Sequence, residues 1–283
     1  MRSHSCIICD GDLGDSHLAG LMQCRQCGFI TAPVVMQEEE IAALYTNGYF
    51  QGEEYSDYAG DKTTIQKNFR RRLDRLLRYV QAPETKSLYE IGAAHGFFLD
   101  VARHRFARVE GTDISEAAAQ FARSEVGVPV QSGDFLQMPV EHRIDVACLW
   151  DTIEHLQYPD LYVAKLSSRM KPGGVIAITT GDIGSTVARL RGKRWRQIHP
   201  PTHLHYFSRK TLADLLRRHG FQVRYSGYDG FYRNLDSMAA ILLKVRRNRA
   251  DVYNLVKRLG ILRFDLYLNL RDIMYVIAAK SDS

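Results

Sequence analysis

The stretch "SLYEIGAAHGFFLDV", residues 87–101, decides how this chain is read. An apolar run ends on Glu90, a loop of small residues carries Gly92, Ala94 and Gly96, and a second apolar run starts at Phe97. A strand, a tight turn and a helix in that order bring backbone close to a nucleotide-like ligand. The dinucleotide fingerprint would want glycines at 92, 94 and 97, whereas positions 94 and 97 are Ala and Phe. NAD and FAD are therefore poor fits.

Outward from this loop, strand and helix patterns alternate. "RVEGTDI", "VPVQSGDF", "IDVACLWD", "GGVIAITT" and "FQVRYSGY" read as strands, and "FFLDVARHR", "SEAAAQFARSEV", "PDLYVAKLSSRM" and "SRKTLADLLRRHG" as helices. Such alternation predicts an α/β, Rossmann-like, doubly wound and mostly parallel sheet. "DIMYVIAAK" adds a late β-rich run, expected as an edge strand, and residues 229–270 read as a basic, largely helical insertion. Ahead of the alternation, "TTIQKNFRRRLDRLLRYV" has its apolar residues at helical spacing.

The chain has 283 residues, 45% of them apolar, and a net charge of +6. Those values suit a globular α/β core with a small accessory module. No run approaches the roughly 18 apolar residues of a membrane span. The opening residues lack the apolar core of a secretory signal, so a cytoplasmic location is expected. The basic surplus is spread out and permits an anionic partner without requiring one.

Four of the five cysteines fall before residue 28. Cys6 and Cys9 form one C-x-x-C, Cys24 and Cys27 another, and the two pairs bring four thiolates into one tetrahedral zinc site. Four protein ligands leave the metal no open position, so the zinc is expected to be structural. Cys148, inside an apolar run, reads as a core thiol. The organisation expected is a zinc ribbon over 1–35, a helical linker or lid over 36–82, and a cofactor-binding domain over 83–283. Tyrosines 45, 49, 55 and 58 suggest the lid.

The cofactor follows from spacing. Glu90 ends the first strand, Asp113 lies 21 residues after Gly92 at the end of the second, and "GDF" places Asp134 beside Phe135. The loop has carboxylates nearby and no lysine, so a nucleoside with a cationic tail suits it better than a phosphate. That points to S-adenosylmethionine. "YEIGAAHGFF", "GTDIS", "GDF", "DVACLWDTIEHL" and "MKPGG", in that order, resemble the class I S-adenosylmethionine-dependent methyltransferases. With the ribbon, "LYTNGYF" and "GKRWRQIHPPTHLHYFSRKTL", the chain resembles a bacterial subgroup associated with glycan and deoxysugar modification. The resemblance implies that Gly92 and Gly96 line the methionine tail, Asp113 holds the ribose, and Asp134 and Phe135 hold the adenine. Glu90, Ala94, Ile114 and Trp150 complete the implied cofactor contacts. Ala94 stands where the family usually has its middle glycine.

The acceptor should meet the methyl group after the fourth strand, at "WDTIEHL". A neutral hydroxyl is a poor nucleophile, so a general base is expected there: His155, with Glu154 beside it and His203 the alternative. A helical turn would put Asp151, Glu154 and His155 on one side. The same residues with His203 resemble the divalent-metal site of ubiquinone-pathway and small-RNA methyltransferases, which would make the four of them ligands for Mg²⁺ or Zn²⁺. The leading expectation is methylation of a hydroxyl on a sugar, nucleotide-sugar or related natural product. The alternative is an RNA methyltransferase, with Arg70 to Arg72, "RLRGKRWR" and "KVRRNR" as a phosphate track.

Overall fold

A computed structural model describes residues 5–35, 40, 59–140, 142–247, 249–258, 262 and 264–281. The tyrosines of the expected lid, 45, 49, 55 and 58, lie outside these residues. In chain order come β1 (Leu13–Asp15), β2 (Met22–Cys24), β3 (Ile30–Thr31), α1 (Lys62–Leu76) and β4 (Ser87–Ile91). Next are α2 (Phe97–Ala102), β5 (Arg108–Asp113), α3 (Glu116–Phe121), β6 (Val130–Ser132) and β7 (Ile144–Trp150). Then follow α4 (Pro159–Arg169), β8 (Met170–Gly181), α5 (Thr186–Arg191), β9 (His205–Tyr206) and α6 (Arg209–Arg218). The last are β10 (Phe221–Tyr228), β11 (Phe231–Asn234), α7 (Leu235–Ala239), α8 (Ala250–Arg258), β12 (Asp265–Leu268) and β13 (Ile273–Lys280).

Seven strands form the central sheet in the order β6-β5-β4-β7-β8-β13-β10. The first five are parallel, and β13 runs antiparallel to both of its neighbours. All seven residues of β7 are buried, as a strand covered by helices on both faces requires. The late β-rich run is not the edge strand expected of it: β13 slots between β8 and β10. Its first six residues are all buried, which an interior position explains and an edge does not. Strand order reverses between β4 and β7, so the carboxyl ends of these two strands flank the crevice where such sheets bind ligands.

The ribbon does not close on itself. β1, β2 and β3 take their fourth strand, β9, from the far side of the chain, with Ile30 opposite Tyr206 and Thr31 opposite His205. Ala32 N–H donates to the Leu204 carbonyl at 2.8 Å. Cys6, Ile8, Cys24 and Phe29 are buried in the same apolar cluster as Ile153, Phe207, Leu212 and Leu215. The region 229–270, expected to be largely helical, also contains the antiparallel β11–β12 pair. That pair docks on α1, where the Asn68 side chain donates to the Tyr232 carbonyl (3.0 Å) and accepts from its N–H (2.6 Å).

A shared core makes ribbon and sheet one cooperative unit. Phe29→Ala, which empties a fully buried site, should destabilise the whole chain by about 3–5 kcal/mol. The check is urea denaturation followed at both the ribbon and the sheet. Unfolding of the sheet that is indifferent to this change would mean that the ribbon is an independent appendage.

Candidate active site

The loop after β4 is shaped by left-handed residues. Gly92 (φ 75°), Ala94 (φ 46°) and Gly96 (φ 72°) all have positive φ. Gly92 has a second reason to be glycine: a Cβ there would lie 2.6 Å from Thr152 Oγ1, on the segment following β7. Ala94 adopts a conformation that costs an L-residue roughly 1–2 kcal/mol, which is why glycine is the natural occupant. Asp113, at the end of β5, fixes the loop by accepting from Ala94 N–H (2.7 Å) and Ser115 N–H (2.9 Å). Burial raises its carboxyl above the usual range against those two bonds. Ile114 beside it is exposed, leaving an apolar side chain next to a buried acid.

Glu90 is buried at the end of β4, and its Oε2 has no hydrogen-bond partner among the described residues. Burial and the nearby Asp113 push its carboxyl well up, with Arg72 opposing them. Trp150 Nε1, at the end of β7, is likewise buried and without a partner among the described residues. A buried acid with an unmet acceptor, beside a second buried acid at the next strand end, suits a nucleoside with a cationic amine tail. Asp134 accepts from Leu136 N–H at 2.8 Å and from the Tyr162 hydroxyl. The Phe135 ring is not the stacking face expected. It is 1% exposed and packed between Tyr89 and Tyr162, which makes it core.

Past β7 the chain turns sharply. Asp151 has φ 52°, and residues 151–158 are turns rather than the expected helix. Asp151 therefore leaves the other acceptor-side candidates and pairs at 2.9 Å with Arg72 of α1, which also binds Asp229 at 2.9 Å. Asp151 and Asp229 hold the guanidinium's proton affinity up despite burial that works against it. Arg72 was hidden in a triple-arginine run that reads as a solvated or phosphate-facing surface. Its neighbour Arg71 packs on Tyr267 and Tyr232, so neither belongs to an open phosphate track.

Glu154, His155 and His203 do converge, with one donor atom from each within 4.8 Å of the others. The Glu154 carbonyl accepts from Leu204 N–H (2.9 Å) and His205 N–H (3.1 Å), which brings β9 to the post-β7 turn. His155 Nδ1 donates to the Thr202 carbonyl and His203 Nδ1 to the Gln197 carbonyl, both at 2.8 Å. These bonds fix the tautomers and leave Nε2 of each ring as the basic atom. His199, which spacing alone did not single out, has its ring centroid 3.8 Å from that of His203. A small void with room for about one water, lined by Glu154, Gly181, Trp195, Gln197, His203 and His205, lies beside them.

The four ribbon cysteines are free thiols whose Sγ atoms lie within 4.8 Å of one another. Cys6–Cys27 and Cys9–Cys24 are each 3.5 Å apart, far beyond disulfide bonding. Tetrahedral zinc with ligands at ~2.3 Å needs sulfurs about 3.8 Å apart, so the set fits. Burial pushes the Cys6 thiol up and Cys27 to about 11. A dication is what would let all four ionise together.

Two outcomes follow. Ala94→Gly should relieve the left-handed strain and stabilise the fold by about 1 kcal/mol, read as a raised melting temperature. The histidines set an acid limit. Burial lowers His155 and His205 to about 4 and His203 to about 2, so all three are neutral at pH 7. A denatured histidine titrates near 6.5. The unfolded chain thus binds more protons below that value, and this part of the stability is lost as pH falls from 6.5 toward 4. Glu90 and Asp113, raised by burial, act in the opposite sense, so the check is a difference: urea midpoints of His203→Gln should fall less steeply with acid than those of the wild type.

The chain matches the methyltransferase domain family over residues 63–226, more than half its length. A probable S-adenosylmethionine-dependent methyltransferase of Mycolicibacterium smegmatis is 26% identical over 141 residues, 49% of this chain and 52% of that protein. The chain thus spans about half the length of this curated relative. Among solved structures, an S-adenosylmethionine-dependent methyltransferase of Thermotoga maritima, a possible histamine N-methyltransferase, superposes with a TM-score of 0.55 at 17% identity, covering 87% of this chain and 100% of that one. Magnesium protoporphyrin IX methyltransferase of Synechocystis PCC 6803, with bound SAH, gives 0.56 at 12% identity with the same coverage. These two likenesses concern the fold. The chain belongs to the methyltransferase domain family, the S-adenosylmethionine-dependent class built on this seven-stranded sheet.

Proposed function

We propose that the protein transfers a methyl group from S-adenosylmethionine to a hydroxyl of a sugar, nucleotide-sugar or related natural product. The observation that carries the reading is the facing pair of strand ends: the acid-lined loop after β4, and the turn after β7 that collects Glu154, His155 and His203. The cofactor supplies an electrophilic methyl on a sulfonium, whose departure needs little help. Glu90, the loop from Gly92 to Gly96, Asp113, Ile114 and Asp134 would hold it. The chain's own work is then to orient the acceptor and remove its proton. His155 Nε2 is the proposed base, made available because Nδ1 is held by the Thr202 carbonyl. The ribbon cysteines are proposed to bind one structural zinc, which steadies β9 and hence the turn bearing Glu154. RNA is the weaker alternative acceptor, since Arg71 and Arg72 are engaged within the fold.

A second reading of the same turn is favoured by one observation. Imidazoles as weakly basic as His155 and His203 are poor matches for a base working at neutral pH but good neutral ligands. Glu154, His155 and His203 would then hold a divalent cation that lowers the acceptor hydroxyl's pKa, with Asp151 outside the set.

Elemental analysis should find about one zinc per chain, lost in Cys24→Ser; a zinc-free wild type would refute the ribbon assignment. Calorimetry should show S-adenosylmethionine bound at least about tenfold more weakly by Asp113→Ala. Unchanged affinity would reject that role for Asp113. If His155 is the base, His155→Ala should lower kcat by ~10²–10⁴-fold while cofactor affinity stays near wild type. If it is a metal ligand, a chelator should abolish wild-type activity and Mg²⁺ or Mn²⁺ should restore it. Activity indifferent to both treatments would leave neither role standing.

A further inference from the structure

Four guanidinium groups surround two aromatic rings on the acceptor side of the sheet. The Cζ of Arg209 lies 4.0 Å, and that of Arg271 5.7 Å, from the ring centre of Tyr228. Arg233 and Arg196 lie 5.2 and 5.7 Å from that of Phe231. Tyr228 ends β10, and its partner across the ladder, Met274, follows Ile273, which sits opposite Gly181 at the end of β8. The cluster therefore lies at the carboxyl ends of the parallel strands, the end that carries Glu90 and Trp150.

The charges there do not balance. Buried Asp182 accepts from the Tyr228 hydroxyl (3.2 Å) and faces Arg209 at 3.7 Å. Buried Asp272 takes Arg196 (2.9 Å) and the Trp195 indole N–H (3.0 Å). Nearby Asp229 is committed to Arg72. Among the described residues no carboxylate lies within 4.0 Å of the guanidinium of Arg233 or of Arg271. With Arg72 and its two acids counted in, five guanidinium groups meet four carboxylates, leaving about one positive charge, carried at the rim by Arg233 and Arg271. A guanidinium stacked on a ring keeps its edge N–H groups for a ligand, and that fork matches phosphate oxygens. Trp195, tied to the same Asp272 as Arg196, also lines the small void with Glu154 and His203.

We propose that Arg196, Arg209, Arg233 and Arg271 form an anion subsite for a diphosphate on the acceptor. Its hydroxyl-bearing end is then directed toward the turn after β7 that bears Glu154 and His155. The acceptor class is thereby narrowed to diphosphate esters, nucleoside diphosphate sugars being the type. This rests on the reading of the turn after β7 as the acceptor side of a methyltransferase.

The test uses the full chain, with inorganic pyrophosphate and uridine diphosphate as probes, followed through tryptophan fluorescence. The chain has only Trp150 and Trp195 as reporters. Wild type should bind uridine diphosphate saturably and more tightly than pyrophosphate. The double variant Arg233→Gln, Arg271→Gln, which strands no acid, should bind uridine diphosphate at least about tenfold more weakly. The corresponding double lysine variant should recover most of that loss, and calorimetry should show cofactor affinity unchanged in both. Equal binding by wild type and the double glutamine variant would overturn the proposal. So would pyrophosphate binding without uridine diphosphate binding, which means an adventitious ion only. A short single-stranded RNA that binds far more tightly than either probe, with a steep salt dependence, would overturn it in favour of a polyanion track. If uridine diphosphate binds but S-adenosylmethionine does not, the subsite stands and the methyltransferase reading falls.

Discussion

The main-chain oxygen of Glu154 holds the turn after β7 against the strip that bears His203 and His205. The oxygen of Glu154 accepts from Leu204 N–H and His205 N–H, while the Leu204 carbonyl accepts from Ala32 N–H and the Thr31 hydroxyl. Three segments far apart in sequence, the ribbon, the turn after β7 and the strip from Gln197 to Tyr206, are pinned within a few ångströms. The histidine rings are then aimed by main-chain oxygens, Thr202 for His155 and Gln197 for His203. Remove the ribbon's third strand and the partner that positions β9 goes with it. In this chain the ribbon is part of the scaffold of the site.

Electrostatics in the crevice follow from burial. Glu90 and Asp113 are acids with raised proton affinity, and His155, His203 and His205 are imidazoles with lowered affinity. Each is thereby pushed toward its neutral form, as a low-dielectric site requires. Arg72 is the exception: it stays charged because Asp151 and Asp229 face it, and it ties α1 to the ends of β7 and β10. The polar rim of stacked arginines around Tyr228 and Phe231 lies outside this neutralised centre.

Much of the sheet was legible in the sequence because a buried parallel strand is a continuous apolar run, as "IDVACLW" is for β7, while the edge strand β10 shows in the alternation of "FQVRYSGY". The place of β13 was not, since an apolar run records burial but not which neighbours provide it. The cysteine spacing told of a shared thiol site but not of β9, whose two residues carry too little pattern to read as a strand. Asp151 was assigned to a helical turn from i, i+3 spacing, and a single left-handed residue undid that assignment. Phe135 was placed at the adenine by the resemblance alone, but here Tyr89 and Tyr162 bury the ring. Arg72 was missed because three consecutive arginines look solvated, and only the helix face reveals that the third points inward.

Hydrogen–deuterium exchange of the full chain, with and without S-adenosylhomocysteine, tests most directly that one crevice joins the two strand ends. The account predicts protection of the loop over residues 91–97, of the ends of β5 and β6, and of the turn over 150–155. Ligand that protects none of these segments, or only the ribbon or the β11–β12 pair, would contradict it.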